Sequence, residues 1–126
     1  MEVRVFTEED IDEINDWFDD RNEAGISARV LSRTGLIAPG VACGFLFATD
    51  SRICFLDFYI SNPLAPKEER AAAFDEITRR LIEIAKERDY SLIFGASSHK
   101  SIQERCVKFG FTHQGSQEVY TMEIKK

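Results

Sequence analysis

One carboxylate stands inside an otherwise apolar stretch of this chain. It is Asp57, in Ile53-Cys-Phe-Leu-Asp-Phe-Tyr-Ile60. Apolar surroundings disfavour the charged form of a carboxylate, so its pKa rises toward the range in which it can take a proton from a nucleophile. The competing reading is an acid at the rim of a sheet, paired with an arginine. Cys106 is a second group with proton chemistry, since an unperturbed thiol titrates at about 8.5. Its plainer role is that of a small hydrophobe packing a helix on a sheet. His99 fits a surface helix cap, and His113 an ordinary surface position in a hairpin. The cysteines Cys43, Cys54 and Cys106 lack metal-type spacing, which predicts reduced thiols and no metal. The sequence has no Gly-x-Gly-x-x-Gly, no Walker loop and no Gly-x-Ser-x-Gly elbow.

These groups need elements to hold them. Val3-Arg-Val-Phe6 alternates and reads as a short strand. Thr7-Glu-Glu-Asp10 is a capping-box start for a first helix over 8–21, carrying Ile11, Ile14, Trp17 and Phe18 at helical spacing. A short second helix is expected over 26–31. Strands follow over 35–38, 41–49 and 52–60, the first two joined by a turn at Pro39-Gly40. The continuous apolar run of 52–60 predicts a strand buried on both faces, and makes Phe45, Phe47, Phe55, Phe58 and Tyr59 core residues rather than a stacking platform. A long helix over 67–89, opened by Pro66, repeats Ala73, Phe74, Ile77, Leu81, Ile84 and Ala85 on one stripe. With the strand at 91–95 it forms a right-handed crossover between parallel partners. A last helix over 99–109 closes on Gly110, and 111–114 pairs with 119–124 as a final hairpin.

A helix ending on Lys108-Phe-Gly-Phe111 and entering a final hairpin resembles the close of the GCN5-related N-acetyltransferase (GNAT) fold. The element order resembles that family over the whole chain. The resemblance implies an α/β (α+β) domain over 1–126, with a mixed central sheet of six to seven strands and about four helices. It implies acetyl-CoA as co-substrate, its thioester in a wedge between the fourth and fifth strands beside Phe58, Tyr59 and Ile60. The family's pyrophosphate motif, Arg/Gln-x-x-Gly-x-Gly/Ala, has its nearest counterpart in Arg70-Ala71-Ala72-Ala73-Phe74-Asp75. Arg70, Ala71, Ala72 and Ala73 are thereby implied at the phosphates, held by free amides at a helix start. Ala73 and Asp75 stand where the family has glycines, and Asp75 brings a carboxylate toward the phosphates if it faces them. Ser98 and His99 occupy the place of an asparagine that touches the pantetheine arm. Cys106 occupies the place of a tyrosine that protonates the leaving thiolate, and Asp57 that of a glutamate base. The loop Ser61–Arg70 also looks like that of small phage-encoded members.

The totals bound these expectations. A chain of 126 residues with 44% hydrophobic content suits one packed domain. A net charge of −6 disfavours nucleic acid and anionic membrane as partners. The opening Met-Glu-Val-Arg-Val-Phe has no basic leader before an apolar run, so a cytoplasmic location is expected. The resemblance implies acyl transfer to a primary amine, on a small molecule or a protein, with residues 20–34 and the final hairpin lining the acceptor side. Asp19, Asp20, Glu23 and Glu118 favour a cationic acceptor there. The alternative is a GNAT-shaped module that has lost catalysis and binds a protein. An apolar final hairpin also permits a homodimer.

Overall fold

The computed structural model describes residues 1–125. Five strands lie in chain order across one sheet: β1 (Arg4–Val5), β2 (Thr34–Ala38), β3 (Ala42–Phe47), β4 (Ile53–Ser61) and β5 (Leu92–Gly95). The first three pairings are antiparallel and β4–β5 is parallel. A parallel pair needs a crossover, and the helix α2 (Lys67–Glu87) supplies it. Helix α1 (Ile11–Asp20) covers the opposite face, and α3 (Lys100–Lys108) follows β5.

The turn between β2 and β3 follows from its residues. Pro39 presets the first central angle, Gly40 takes φ +76°, and the Val41 amide donates to the Ala38 carbonyl at 2.9 Å. The Gly40 amide donates to Glu13 Oε1 at 2.7 Å, tying α1 to this turn. Two cores result. Leu46, Cys54, Leu56, Ile77 and Leu81 pack on the α2 face, and Ile14, Trp17, Ile37, Cys43 and Phe45 on the α1 face. Gly35 is required beneath Phe45, because an added Cβ would lie 2.4 Å from ring carbons. Asp10 is 5% exposed and takes both Arg4 guanidinium nitrogens, at 2.6 and 2.9 Å, with the Thr7 amide at 2.9 Å. The hydrogen-bonded Arg4 guanidinium lowers the Asp10 pKa despite burial.

Among the described residues the sheet has five strands, not six to seven, and there are three α-helices, not four. Residues 26–31 form only a single 3-10 turn, Ala28–Val30. Ser27 caps that turn through its hydroxyl, and the extended Leu31 (ψ 144°) ends it. The final hairpin is not formed among the described residues, where no strand follows Gly110. Gly110, at φ +94°, closes α3, and the Phe111 amide donates to the Cys106 carbonyl at 2.9 Å. Beyond it, Val119, Tyr120, Met122 and Ile124 are exposed. Their spacing suits a strand, but a strand exists only through a paired neighbour, and β5 offers its outer edge unpaired among the described residues. Nor is β4 buried on both faces, since Phe55 and Asp57 open to solvent.

Candidate active site

Strand β4 runs beside β5 only from Ile53 opposite Leu92 to Leu56 opposite Gly95. Beyond that point β4 continues to Ser61 while β5 turns away, so a wedge opens between two parallel strands. A bulge against β3 sits at the same place. Asp57 pairs with Phe45 and Ile60 with Cys43, which leaves Phe58 and Tyr59 opposite Gly44 alone. Phe58 takes φ +53°, a conformation that a bulky side chain adopts at a cost. The bulge leaves Phe58 on the α1 side together with Asp57 and turns Tyr59 toward α2. Gly44 makes room for it, since a Cβ there would meet the Tyr59 ring at 3.0 Å. The far end of β4 is pinned by Arg21 from the end of α1, which donates to the Ser61 carbonyl and, at 3.0 Å, to its hydroxyl.

The wedge holds a cavity of about 350 Å³. Asp57, Phe58, Tyr59 and Ile60 line it from β4, Ser98 and His99 from the loop after β5, and Cys106 from α3. The structure thus brings together seven of the residues singled out in the sequence. Burial pushes the Cys106 thiol up from its ordinary value and keeps it protonated. The Tyr59 hydroxyl is hydrogen-bonded to Thr78 Oγ1 at 2.8 Å, and burial pushes its pKa up to about 12. His99 caps α3 by its position, and its amide donates to Ser97 Oγ at 3.0 Å.

Asp57 departs from both readings of it. It is exposed rather than buried, and no arginine pairs with it among the described residues. Its Oδ1 accepts the Phe58 amide at 2.7 Å, which fixes the carboxylate at the bulge. Of the rings expected in the core, Phe47 and Phe58 are half-buried against the α1-side core, whereas Phe55 is exposed. Only Phe45 is fully buried.

Arg70, Ala71, Ala72 and Ala73 are not at a helix start. Helix α2 begins at Lys67, and the Arg70 amide already bonds the Pro66 carbonyl at 3.0 Å. The cause is alanine itself, the best helix former, where glycines would have broken the helix into a loop. The amides without intrahelical partners are those of Lys67, Glu68 and Glu69. Arg70 keeps one relevant feature: its Nε is buried with no hydrogen-bond partner, an orphan donor suited to an anion. Asp75 faces α3 rather than a phosphate site, accepting from Arg105 Nε at 2.7 Å and Lys108 Nζ at 2.6 Å. Burial works against its charge, but these two cations hold its pKa below the usual range. Arg105 and Thr78 also line the cavity. Sequence reasoning missed both because each sits on a helix whose facing could be read only from its packing. The wedge and its apolar cavity therefore fit an acyl-pantetheine arm. The Arg70–Asp75 stretch does not form an amide cradle for the phosphates.

No family model matches the chain, and no curated protein matches it in sequence. Solved structures do match in fold. An acetyltransferase of Trypanosoma brucei is 17% identical with a TM-score of 0.69, covering 96% of this chain and 99% of that one. An N-acetyltransferase of Staphylococcus aureus is 15% identical with a TM-score of 0.64, covering 90% and 84%. A Mycobacterium tuberculosis protein, solved in complex with CoA and NLQ, is 20% identical with a TM-score of 0.60, covering 95% and 76%. The chain has the fold of solved acetyltransferases.

Proposed function

We propose that this protein is an acyl-CoA-dependent N-acyltransferase that passes an acetyl group directly to a primary amine. The observation that carries the reading is the cavity opening where β4 and β5 part, with Asp57 at the bulge and Cys106 across the wedge. An ammonium cannot attack a thioester, so a proton must leave first, and Asp57 is the carboxylate placed to receive it. The amine nitrogen then forms a bond to the thioester carbon and the carbon–sulfur bond breaks. The departing sulfur takes a proton from Cys106, and the acylated nitrogen gives up its second proton as it becomes the neutral amide, which through solvent restores the Cys106 thiol. Tyr59, neutral at working pH, stays a hydrogen-bond donor beside it. The wedge's main task is to hold the two reactants together. Arg70 and Arg105 are the cations nearest in role to an anionic co-substrate.

Acetyl-CoA at about a thousand times its dissociation constant should stabilise the fold by about 4 kcal/mol, read as a rise in melting temperature. Asp57→Asn should retain that rise while lowering kcat by about a hundredfold or more. Turnover unchanged in Asp57→Asn removes the carboxylate as base.

A second reading has its own observation, the continuous helix through Arg70–Asp75 that uses up the motif's amides. On that reading the chain is a protein-binding module, of the sort that small phage-encoded proteins direct at host factors. It predicts no response to acetyl-CoA.

A further inference from the structure

The sheet face beside α1 carries an aromatic arrangement of which the reaction above uses only Asp57. Phe47 of β3, Phe55 of β4 and Phe94 of β5 are successive cross-strand partners, so their rings form one row across three strands. Phe55 and Phe94 stack at 5.4 Å, and Phe55 is 42% exposed. The bulge leaves Phe58 on the same face, where its ring meets Phe47 at 5.5 Å and 40°. Phe47, Phe55 and Phe58 together with Asp57 line a hollow of about 230 Å³. Asp57 therefore borders two cavities, this one and the wedge.

Three π faces and one carboxylate select for charge. A ring's negative face attracts a cation, and the attraction grows as the cation sheds water. A phosphate or nucleotide is disfavoured, because no Lys or Arg lines the hollow and Asp57 would repel it. A neutral apolar guest would bury Asp57 without offsetting its charge. We propose that Phe47, Phe55, Phe58 and Asp57 form a binding site for an organic ammonium group. Resting on the transferase reading, this makes the hollow the acceptor's dock, with Asp57 standing between the bound cation and the wedge.

The test needs no acetyl-CoA. The intact protein is titrated with choline chloride and, separately, with 3,3-dimethylbutan-1-ol, its uncharged counterpart of the same shape, while backbone amide NMR shifts are recorded. Choline should give saturable shifts at Phe47, Phe55, Asp57 and Phe58, and the alcohol should bind about tenfold more weakly or not at all. Phe55→Leu keeps an apolar side chain but removes a π face, and Asp57→Asn keeps the shape but removes the charge. Each should weaken choline binding by about fivefold. Equal binding of choline and the alcohol overturns the proposal, as does the absence of saturable shifts. Choline affinity unchanged in both variants overturns it too. Acetyl-CoA binding measured on the same sample separates the two readings. Choline bound without acetyl-CoA keeps the cation site and removes the transferase, whereas the reverse pattern removes only the cation site.

Discussion

Phe58 decides the geometry of the site. Its left-handed backbone lies in the bulge against β3, which falls where the β4–β5 pairing ends and beside the exposed Asp57. The conformation costs a residue with a Cβ roughly 1–2 kcal/mol, a cost glycine escapes. Phe58→Ala and Phe58→Gly both delete the ring and its contact with Phe47, so the difference between them isolates the backbone. Denaturant unfolding should find the glycine variant more stable than the alanine variant by about 1 kcal/mol. The opposite order would mean that residue 58 is not left-handed. Nothing in the sequence announced this position, because Asn or Gly usually marks a positive φ and phenylalanine does not. Asp57 was legible as the carboxylate to watch, by its isolation among apolar neighbours. Its exposure was not, because an apolar run shows which residues could be buried and not whether a second layer covers them.

Among the elements, α2 shows how one residue type redirects a motif. Ala71, Ala72 and Ala73 extend the helix through the stretch where glycines would form a phosphate loop. The stripe of Ala73, Ile77, Leu81 and Ala85 was legible from its period, and all four are buried. The contact between α2 and α3 was not, because Asp75 meets Arg105 and Lys108 across more than twenty residues of chain. Asp75 is a third exposed, which limits that tie, so Asp75→Asn should cost about 1 kcal/mol at neutral pH. The sign with pH follows from the depressed pKa values. Asp75 and Asp10 lie below their ordinary values, and paired Arg79 and Arg80 bring Glu76 down to about 2. Their contribution is complete above the unfolded carboxylate pKa, about 4, and disappears as pH falls through the folded values. Stability should therefore decline from about pH 4 toward 2, and Asp75→Asn should decline less steeply. An identical slope in that variant would show that the pair is not formed.

At the scale of the whole molecule, the order of strands and helices was legible because each segment's period and turn residues are local. The missing hairpin was not, because local pattern is silent on partners. Its consequence is an open sheet edge. Leu92 and Phe94 of β5 are 50% and 43% exposed, and Tyr120, Met122 and Ile124 stand at strand spacing, exposed by 88%, 86% and 80%. An unpaired edge and an unpaired apolar strand pattern in one chain are mutually complementary. Residues 112–125 are exposed throughout and do not fold back on β5, so we expect the edge of a second copy to take them up. The net charge of −6 on each copy opposes that association and is screened by salt. Sedimentation equilibrium should find a dimer that tightens as salt rises. Tyr120→Lys with Met122→Lys should give a monomer with an unchanged melting temperature, because neither side chain touches the core. A monomer at every salt concentration removes the dimer. A dimer that survives both substitutions assigns the contact to another surface.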